Sequence, residues 1–353
     1  MISARRSVWP FLLWVAALHP ALAQTSARGE VPIREVILSD GARRYTIPVT
    51  VGGTAIEAGL DTGSTGLRVL PNVLAASDAT GSGRDDHYSY SAGTEFAGEV
   101  GKGQLTIAGL AAPSTLQLIH TVDCVHSNPH CPASRVSLAQ FGVQGDGLAG
   151  EGFRAIIGIN MAEADIASPL TAIGAERWIV ELPRPGSGVP GKLILNPTDE
   201  EMKDYVRLPI LRAFAAQRGG LHDAVSGCLI NVTTKDKSCG AVMLDTGAPG
   251  LTLTNGTLGH AVWDNGTPAA LALFDANNAR AVEYFTVGLR EHASRLSFDE
   301  KPQLRETVIY AGLSPYFAFD VLYDPAKGEI GVRPRPAAPT APSGQLVAPN
   351  KAP

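Results

Sequence analysis

The stretch Leu60–Gly66, LDTGSTG, decides the fold, because the chain repeats it almost letter for letter as LDTGAPG at Leu244–Gly250. Each copy follows an apolar run and leads into further apolar residues, which is typical of a strand, a tight turn and a second strand. A single Asp-Thr-Gly turn is common by chance. Two copies in the same frame indicate an internal duplication that brings two aspartates together.

The chemistry of this repeat depends on whether Asp61 and Asp245 meet. Aspartate beside glycine often only caps a turn, and for either copy alone that interpretation is the stronger one. The matched surroundings of the two copies favour a shared site, in which Thr62 and Thr246 each bond to the opposite turn. Two carboxyls held a few ångströms apart share one proton, because both cannot ionise cheaply. Such a pair can take a proton from a water that attacks an amide carbonyl and give one to the leaving nitrogen, without a cofactor.

The composition is that of a globular protein rich in turns. The chain has 353 residues, of which 44% are hydrophobic and 18% are charged, and this is enough for two domains with hydrophobic cores. Its 38 glycines and 25 prolines favour short strands joined by turns over long helices. The excess of acidic over basic residues argues against a nucleic-acid or anionic-membrane partner.

Residues 1–23 predict a secretory signal that is removed on export. Arg5 and Arg6 precede an apolar run over residues 8–18, and Ala21–Ala23 supplies the small residues of a cleavage site. A membrane anchor is the alternative, but the apolar run is too short to span a bilayer. We therefore expect an exported protein, periplasmic or extracellular, with no membrane span after signal cleavage.

Export makes the four cysteines candidates for disulfides. Their order suggests local pairing, although four cysteines allow other connectivities: Cys124 with Cys131 and Cys228 with Cys239. A zinc site is the alternative for the first pair, because His126 and His130 lie beside the two sulfurs. Adjacent His130 and Cys131 would have difficulty in reaching one ion together with the other two ligands. We therefore expect a disulfide-closed loop and no metal site.

The hydrophobic pattern divides the chain into two β-rich lobes. Alternating residues from Ile33 onward and a turn at Gly52-Gly53 predict a hairpin whose second strand ends at Asp61. The alternation pauses near Asn196, where we place the boundary between lobes. The predicted division is a signal at 1–23, a polar leader at 24–32, an N-terminal β lobe at 33–196, a C-terminal β lobe at 197–333, and a disordered Pro/Ala-rich tail at 334–353.

The chain resembles the pepsin-like aspartic proteases over roughly residues 33–333. The features that carry the resemblance are the two Asp-Thr-Gly turns, a Tyr90-x-x-Gly93 hairpin, the run Ile156-Ile157-Gly158, and the closing Tyr323-Asp324 and Ile330-Gly331. The string DTGSTGLR from Asp61 to Arg68 is also similar to a group of bacterial proteins related to those proteases. The resemblance implies a bilobal all-β fold, in which a monomer binds an extended polypeptide substrate in the cleft between two pseudo-twofold-related lobes.

The resemblance also assigns roles by position. It makes Asp61 and Asp245 the catalytic residues of an aspartic endopeptidase, a hydrolase without a cofactor. It makes Tyr90 the flap tyrosine that closes over the substrate, with Gly93 at the tip of the flap. The other residues of the two turns support the carboxyls: Thr62, Gly63, Ser64, Thr246 and Gly247.

Two departures from the family pattern predict differences in behaviour. Arg68 stands where the family usually has a tryptophan that bonds to the flap tyrosine, so the flap must be held differently. Ala248 stands where the family usually has a hydroxyl residue, whereas Ser64 keeps one in the first turn. Loss of a donor disfavours an ionised carboxylate, so we expect the pair to titrate higher and the optimum to lie nearer neutral pH. The altered flap also raises an alternative function, a catalytically weak or inactive peptide-binding protein of the cell envelope.

Overall fold

The computed structural model describes residues 27–212, 220–255, 263–276, 278–301, 306–336 and 342–347; the predicted signal at 1–23 lies outside them. In these ranges the chain is almost entirely β-structure, with two short α-helices, α1 (Pro169–Ala172) and α2 (Ser314–Ala318). The all-β class expected from the sequence is confirmed. No helix within the described ranges is both long and apolar enough to cross a membrane.

The strands fall into two groups along the chain. Those before residue 196 are β1 (Gly29–Ile37), β2 (Arg43–Val51), β3 (Thr54–Asp61), β4 (Thr65–Val69), β5 (Ala79–Ser89), β6 (Thr94–Ile107), β7 (Leu110–Cys124), β8 (Ala155–Ile159), β9 (Trp178–Glu181) and β10 (Gly191–Leu195). Those after it are β11 (Val206–Pro209), β12 (Val225–Asn231), β13 (Lys237–Leu244), β14 (Leu251–Asn255), β15 (Pro268–Asp275), β16 (Asn278–Thr286), β17 (Leu296–Glu300), β18 (Val308–Gly312), β19 (Phe319–Asp324), β20 (Glu329–Pro334) and β21 (Ser343–Leu346).

These strands form two large sheets, compatible with the bilobal pepsin-like fold. The first has the order β11-β20-β19-β9-β10-β1-β2-β3-β8-β4-β7-β6-β5, and the second has the order β17-β14-β18-β13-β12-β15-β16-β21. Strand β1 joins two parts of the first sheet, because Gly29–Ile33 pairs with β10 and Arg34–Ile37 pairs with β2. Strand β19 from the second half pairs with β9 from the first. A boundary near residue 196 therefore separates the two Asp-Thr-Gly turns along the chain. The first sheet nevertheless contains strands from both sides of that boundary.

The duplication predicted from the two turns is visible in the strand order. In the first half, β3 runs parallel to β8, and β8 runs antiparallel to β4 on its other side. In the second half, β13 runs parallel to β18, and β18 runs antiparallel to β14. Each Asp-Thr-Gly turn therefore connects two strands that are separated by a third strand from later in the chain. Strands β8 and β18 therefore occupy equivalent places in the two halves.

The predicted polar leader, residues 24–32, overlaps the first strand, because β1 begins at Gly29. Val31 is 3% exposed and pairs with Leu193. The alternation of buried residues that the sequence shows from Ile33 onward therefore begins two residues earlier, at Val31. Pro32 lies between the two and makes the segment look like a loop in the sequence. A proline is tolerated in a strand where its missing N–H is not needed by a neighbour.

The prediction that the whole tail from residue 334 is disordered is wrong for residues 343–346. These residues form β21, which pairs with the edge strand β16 and places Gly344 opposite Glu283. Gly344 lies directly against the ring of Phe319. The segment buries little apolar surface of its own, and it is ordered because main-chain hydrogen bonds extend a sheet that already exists.

Strand β21 lies beside a buried acid that the sequence did not single out. Glu283 is fully buried, Ser314 donates a hydrogen bond to its Oε1, and its Oε2 has no partner among the described residues. Burial raises the pKa of Glu283 from 4.5 to about 8. The unfolded chain releases this proton near pH 4.5, so the acid stabilises the fold fully below that pH. The stabilisation is lost as the pH rises through 8.

We therefore predict that Glu283→Gln raises the free energy of unfolding at pH 8 by about 2 kcal/mol and changes it little at pH 4. The amide keeps a partner for Ser314 and removes the buried charge that forms at high pH. Urea unfolding at both pH values measures the effect, with the exposed Glu300→Gln as the matched control. An equal change at pH 4 and pH 8 would contradict the assignment.

Both predicted disulfides are present. Cys124–Cys131 closes the loop after β7, and Cys228–Cys239 joins directly opposed residues of β12 and β13. The first bond takes both sulfurs of the alternative zinc set, so they are not thiolate ligands. The loop that Cys124–Cys131 closes also contacts the flap, as described below.

Candidate active site

The first Asp-Thr-Gly turn holds the carboxyl group of Asp61 with two donors. Asp61 ends β3 and is 3% exposed. The Gly63 N–H donates to Asp61 Oδ1 over 2.9 Å, and the Ser64 hydroxyl donates to Asp61 Oδ2 over 2.6 Å. Each carboxyl oxygen therefore has one hydrogen bond from its own turn, and both bonds favour a fixed orientation of the group.

The second turn supports its carboxyl group less completely. Asp245 directly follows β13, is half-buried, and accepts a hydrogen bond from the Gly247 N–H over 2.7 Å at Oδ1. Ala248 has no hydroxyl with which to repeat the contact that Ser64 makes. The asymmetry read from the sequence is therefore present in the structure.

The two turns place the carboxyl groups side by side. A Cβ atom added at Gly247 would lie 2.7 Å from Asp61 Oδ1 and 3.0 Å from Asp245 Oδ1, so one point touches both groups. A Cβ atom added at Gly63 would lie 2.6 Å from Asp245 Oδ1. Each glycine thus packs against the carboxyl group of the opposite turn, and a side chain at either position would displace it.

Thr62 and Thr246 form the reciprocal contact expected from the sequence. The Thr62 N–H donates to Thr246 Oγ1 over 3.0 Å, and the Thr246 N–H donates to Thr62 Oγ1 over 2.9 Å. The hydroxyl of Thr62 donates to Leu244 O and that of Thr246 donates to Leu60 O, each over 3.0 Å. Both threonines are fully buried. This symmetric set of bonds fixes the two turns to each other and so fixes the spacing of the carboxyls.

Two buried tyrosines extend the hydrogen bonds around Thr62. The hydroxyl of Tyr316, from α2, lies 2.7 Å from Thr62 Oγ1 and 2.5 Å from the hydroxyl of Tyr323, from β19. It also donates to Leu244 O over 3.2 Å. Sequence reasoning missed the role of Tyr316, because no short motif connects it to the turns. Its position in an apolar segment gives the only sequence signal, since a buried tyrosine usually needs a hydrogen-bond partner.

The environment favours the protonated form of Asp245. Burial raises its pKa well above the ordinary value, and the neighbouring charge of Asp61 raises that pKa further. The Gly247 N–H and the positive charge of Arg44 act in the opposite direction. Arg44 is a further residue that the sequence did not indicate. It is 1% exposed and forms an ion pair with Asp146 over 2.5 Å.

The predicted flap is a hairpin with a third strand attached. Strands β5 and β6 are joined by a turn in which the Gly93 N–H donates to Tyr90 O over 2.8 Å, and Gly93 has a positive φ of 87°. Strand β7 pairs with β6 along its whole length, from Ile107 opposite Leu110 to Thr94 opposite Cys124. We therefore describe the flap, residues 79–107, as a hairpin backed by β7.

The disulfide loop braces the tip of the flap. Asn128 donates from Nδ2 to Ala92 O over 3.0 Å, and the Val125 N–H donates to Gly93 O over 2.8 Å. Gly93 therefore lies in the turn at the tip of the hairpin, and its neighbours are residues of the loop closed by Cys124–Cys131.

The less exposed face of β5 carries two tyrosines of the flap. The exposed His87 and Ser89 alternate with Tyr88 and Tyr90, whose rings are 4.9 Å apart. Burial raises the pKa of both tyrosines, and the charge of Asp61 raises it further. Sequence reasoning selected Tyr90 and missed Tyr88, although strict alternation places both on one face of the strand.

The structure thus brings together the residues of both turns. Paired carboxyls, one of which favours its protonated form, can act together as a general base and a general acid. Asp245 is half-buried, so the pair keeps contact with solvent. The arrangement fits hydrolytic chemistry on a neutral carbonyl group.

Comparison with known proteins gives a partial similarity. No protein-family model matches the chain. Aspergillopepsin-1 of Emericella nidulans is 35% identical over 82 residues, which is 20% of this chain. The chain spans 21% of the length of that curated relative. The similarity is weak and local, and it suggests the pepsin-like proteins at the level of family.

Proposed function

We propose that the protein is an exported aspartic endopeptidase that hydrolyses peptide bonds with a water activated between Asp61 and Asp245. The observation that carries the proposal is the contact of each turn's glycine with the opposite carboxyl group, together with the reciprocal threonine bonds. Turn-capping aspartates need no such contact. The local similarity to Aspergillopepsin-1 and the two disulfides support the proposal.

The mechanism follows from the unequal turns. Asp61, held by Gly63 and Ser64, is placed to accept a proton from the attacking water. Asp245, whose pKa is raised by burial, holds the proton that passes to the carbonyl oxygen as the water attacks and a gem-diol forms. When the C–N bond breaks, Asp61 gives the proton taken from the water to the leaving nitrogen, and Asp245 recovers a proton from the gem-diol. The two carboxyls exchange roles during the cycle, so the proton count is restored. The substrate is an extended polypeptide lying between the lobes, under the flap.

A cleavage assay tests the proposed function. The mature protein is incubated with an unfolded protein between pH 3 and 7, and new termini are identified by mass spectrometry. We expect cleavage at internal peptide bonds, and we expect the initial rate at which new termini form to increase linearly with enzyme concentration. Tight binding of the same substrate without any new termini would favour the alternative, a peptide-binding protein of the cell envelope.

The pH dependence of turnover should respond to a hydroxyl at position 248. In Ala248→Ser the new hydroxyl can donate to Asp245 as Ser64 does to Asp61, which favours the ionised carboxylate and lowers the pKa of Asp245. Activity needs the proton on the pair, so the upper limb of the kcat/KM profile should move to lower pH by about one unit. Ala248→Val adds volume without a donor and serves as the control. An upper limb that does not move in Ala248→Ser would contradict the assignment of Asp245.

A further inference from the structure

Arg68 is a buried guanidinium group on the fixed strand beneath the flap. It lies in β4, is 3% exposed, and donates from Nη1 to Thr65 O over 2.7 Å. Its Nε has no hydrogen-bond partner, and no carboxylate lies within ion-pair distance of it among the described residues. Burial raises the pKa of Asp86, and the charge of Arg68 lowers that pKa from beyond ion-pair distance. A buried charge without a carboxylate in direct contact is costly, so a closer contact must compensate for its burial.

The contact that compensates is with the flap. The guanidinium carbon of Arg68 lies 3.4 Å from the ring centroid of Tyr88, which is a cation–π stack. Such a stack is worth most where both groups are shielded from water, as they are here. Tyr88 belongs to β5 of the flap hairpin and Arg68 to β4, so the stack connects the flap to the neighbouring part of the sheet.

A second side chain holds the flap at the same level. Gln117, on β7, pairs in register with Arg68 and is fully buried. Its Nε2 donates to Asp86 O over 3.0 Å and to Phe96 O over 3.4 Å, one residue on each strand of the hairpin. Arg68 and Gln117 are therefore neighbours on adjacent strands, and both bind the underside of the flap.

The carboxyl pair acts electrostatically on Tyr88. The charges of Asp61 and Asp245 both raise its pKa, and the hydroxyl of Ser64 lowers it. A movement of Tyr88 away from Arg68 would separate the flap from β4.

We infer that Arg68 is a positioning residue that latches the flap over the carboxyl pair by stacking on Tyr88. The inference rests on the proposed function for its kinetic consequence, but the latch itself is a structural property. Arg68 acts through Tyr88 and does not meet the substrate, because the ring covers the guanidinium group and leaves it 3% exposed.

Hydrogen exchange tests the latch without any need for turnover. The amides of residues 85–96 are followed by mass spectrometry in the wild type, in Arg68→Met, which keeps the length of the side chain, and in Tyr88→Leu, which removes the ring. We expect exchange in this segment to become about tenfold faster in both variants, and no faster in the double variant than in either single one. Tyr88→Phe keeps the ring and should exchange as the wild type does.

The controls separate a latch from general destabilisation. Exchange in β12 and β15 should stay at the wild-type rate, and Arg34→Gln, which removes an exposed arginine paired with Glu57, should not change the flap. If Arg68→Met does not fold, Arg68→Lys replaces it, and Tyr88→Leu leaves the fixed strand intact. Unchanged flap exchange in a folded Arg68 variant, or additive effects in the double variant, would overturn the inference.

The kinetic arm distinguishes the latch from the proposed function. If the protein cleaves peptides, Arg68→Met should raise KM more than it lowers kcat, because a loose flap weakens the hold on substrate before it changes the carboxyls. A fall in kcat alone would overturn the positioning role. Failure of the wild type to cleave any substrate would remove the proposed function, and the exchange result would still decide on the latch.

Discussion

Asp245→Asn is expected to lower kcat on a peptide substrate by about a thousandfold or more while the fold is kept. The amide cannot hold and release the proton that Asp245 carries. The position accepts an amide, because the Gly247 N–H can still donate to the remaining oxygen. Asp61→Asn should have an effect of the same order, since the two carboxyls work as one unit.

The same substitution should stabilise the protein at neutral pH. Burial and the charge of Asp61 raise the pKa of Asp245, so its contribution to stability is complete below the pKa of the unfolded chain and is lost as the pH rises through the folded pKa. The asparagine variant has no such loss. We expect Asp245→Asn to unfold at higher urea concentration than the wild type at pH 7 and at an equal concentration at pH 3.

The exposed Asp204→Asn is the matched control, with rate and stability as in the wild type. A variant at position 245 that loses activity together with stability would indicate a damaged fold. A variant that keeps activity would contradict the role of Asp245.

Thr246→Val is expected to reduce the free energy of unfolding by about 2–4 kcal/mol and kcat by about a hundredfold. Valine has the shape of threonine but no hydroxyl. The Thr62 N–H then loses its acceptor and Leu60 O loses a donor, in a place that water does not reach. The turns lose half of their mutual bonds, so the carboxyls lose their fixed spacing.

Thr246→Ser separates the hydroxyl from the packing of the methyl group. Serine keeps both hydrogen bonds and should retain most of the activity, with a stability loss of about 1 kcal/mol for the lost methyl group. Urea unfolding and initial rates on one peptide measure both effects. Equal losses in Thr246→Val and Thr246→Ser would show that packing, and not the reciprocal bonds, holds the turns.

The sequence predicted the turns well because their meaning lies in their repetition. Leu60–Gly66 alone supports only a capped aspartate, whereas the second copy at Leu244–Gly250 predicts a second aspartate and a second threonine opposite the first pair. The threonine contact and the missing hydroxyl at Ala248 follow from aligning the two copies, and the packing of each glycine against the opposite carboxyl is a finding of the structure. Each of these can be seen in the structure without further information.

The supports around the turns could not be predicted in this way. Tyr316 and Arg44 reach the site from distant segments, and their neighbours in the sequence carry no motif. Their positions depend on how β2 and α2 pack, which is a property of the whole fold. The stretch after Asn255 has no motif that predicts more than mixed strand and loop, and its described parts include β15, β16 and β17.

The ends of the chain show the limit of composition as a guide. Pro32 made the start of β1 look like a loop, and the Pro/Ala-rich tail gave no sign of β21. In both cases a neighbouring strand supplies the order, through the pairing of β1 with β10 and of β21 with β16. Composition indicates how much apolar surface a segment can bury, but it does not indicate with which strand the segment will pair.

A single turnover in ¹⁸O-labelled water tests the central claim, that one water activated between Asp61 and Asp245 hydrolyses a peptide bond. Enzyme in excess is mixed with a peptide substrate, and the products and the two aspartate-containing peptides of the enzyme are analysed by mass spectrometry. We predict one ¹⁸O atom in the new carboxyl terminus, none in Asp61 or Asp245, and no product from either asparagine variant. Label in either aspartate, or cleavage by the asparagine variants at the wild-type rate, would contradict the claim.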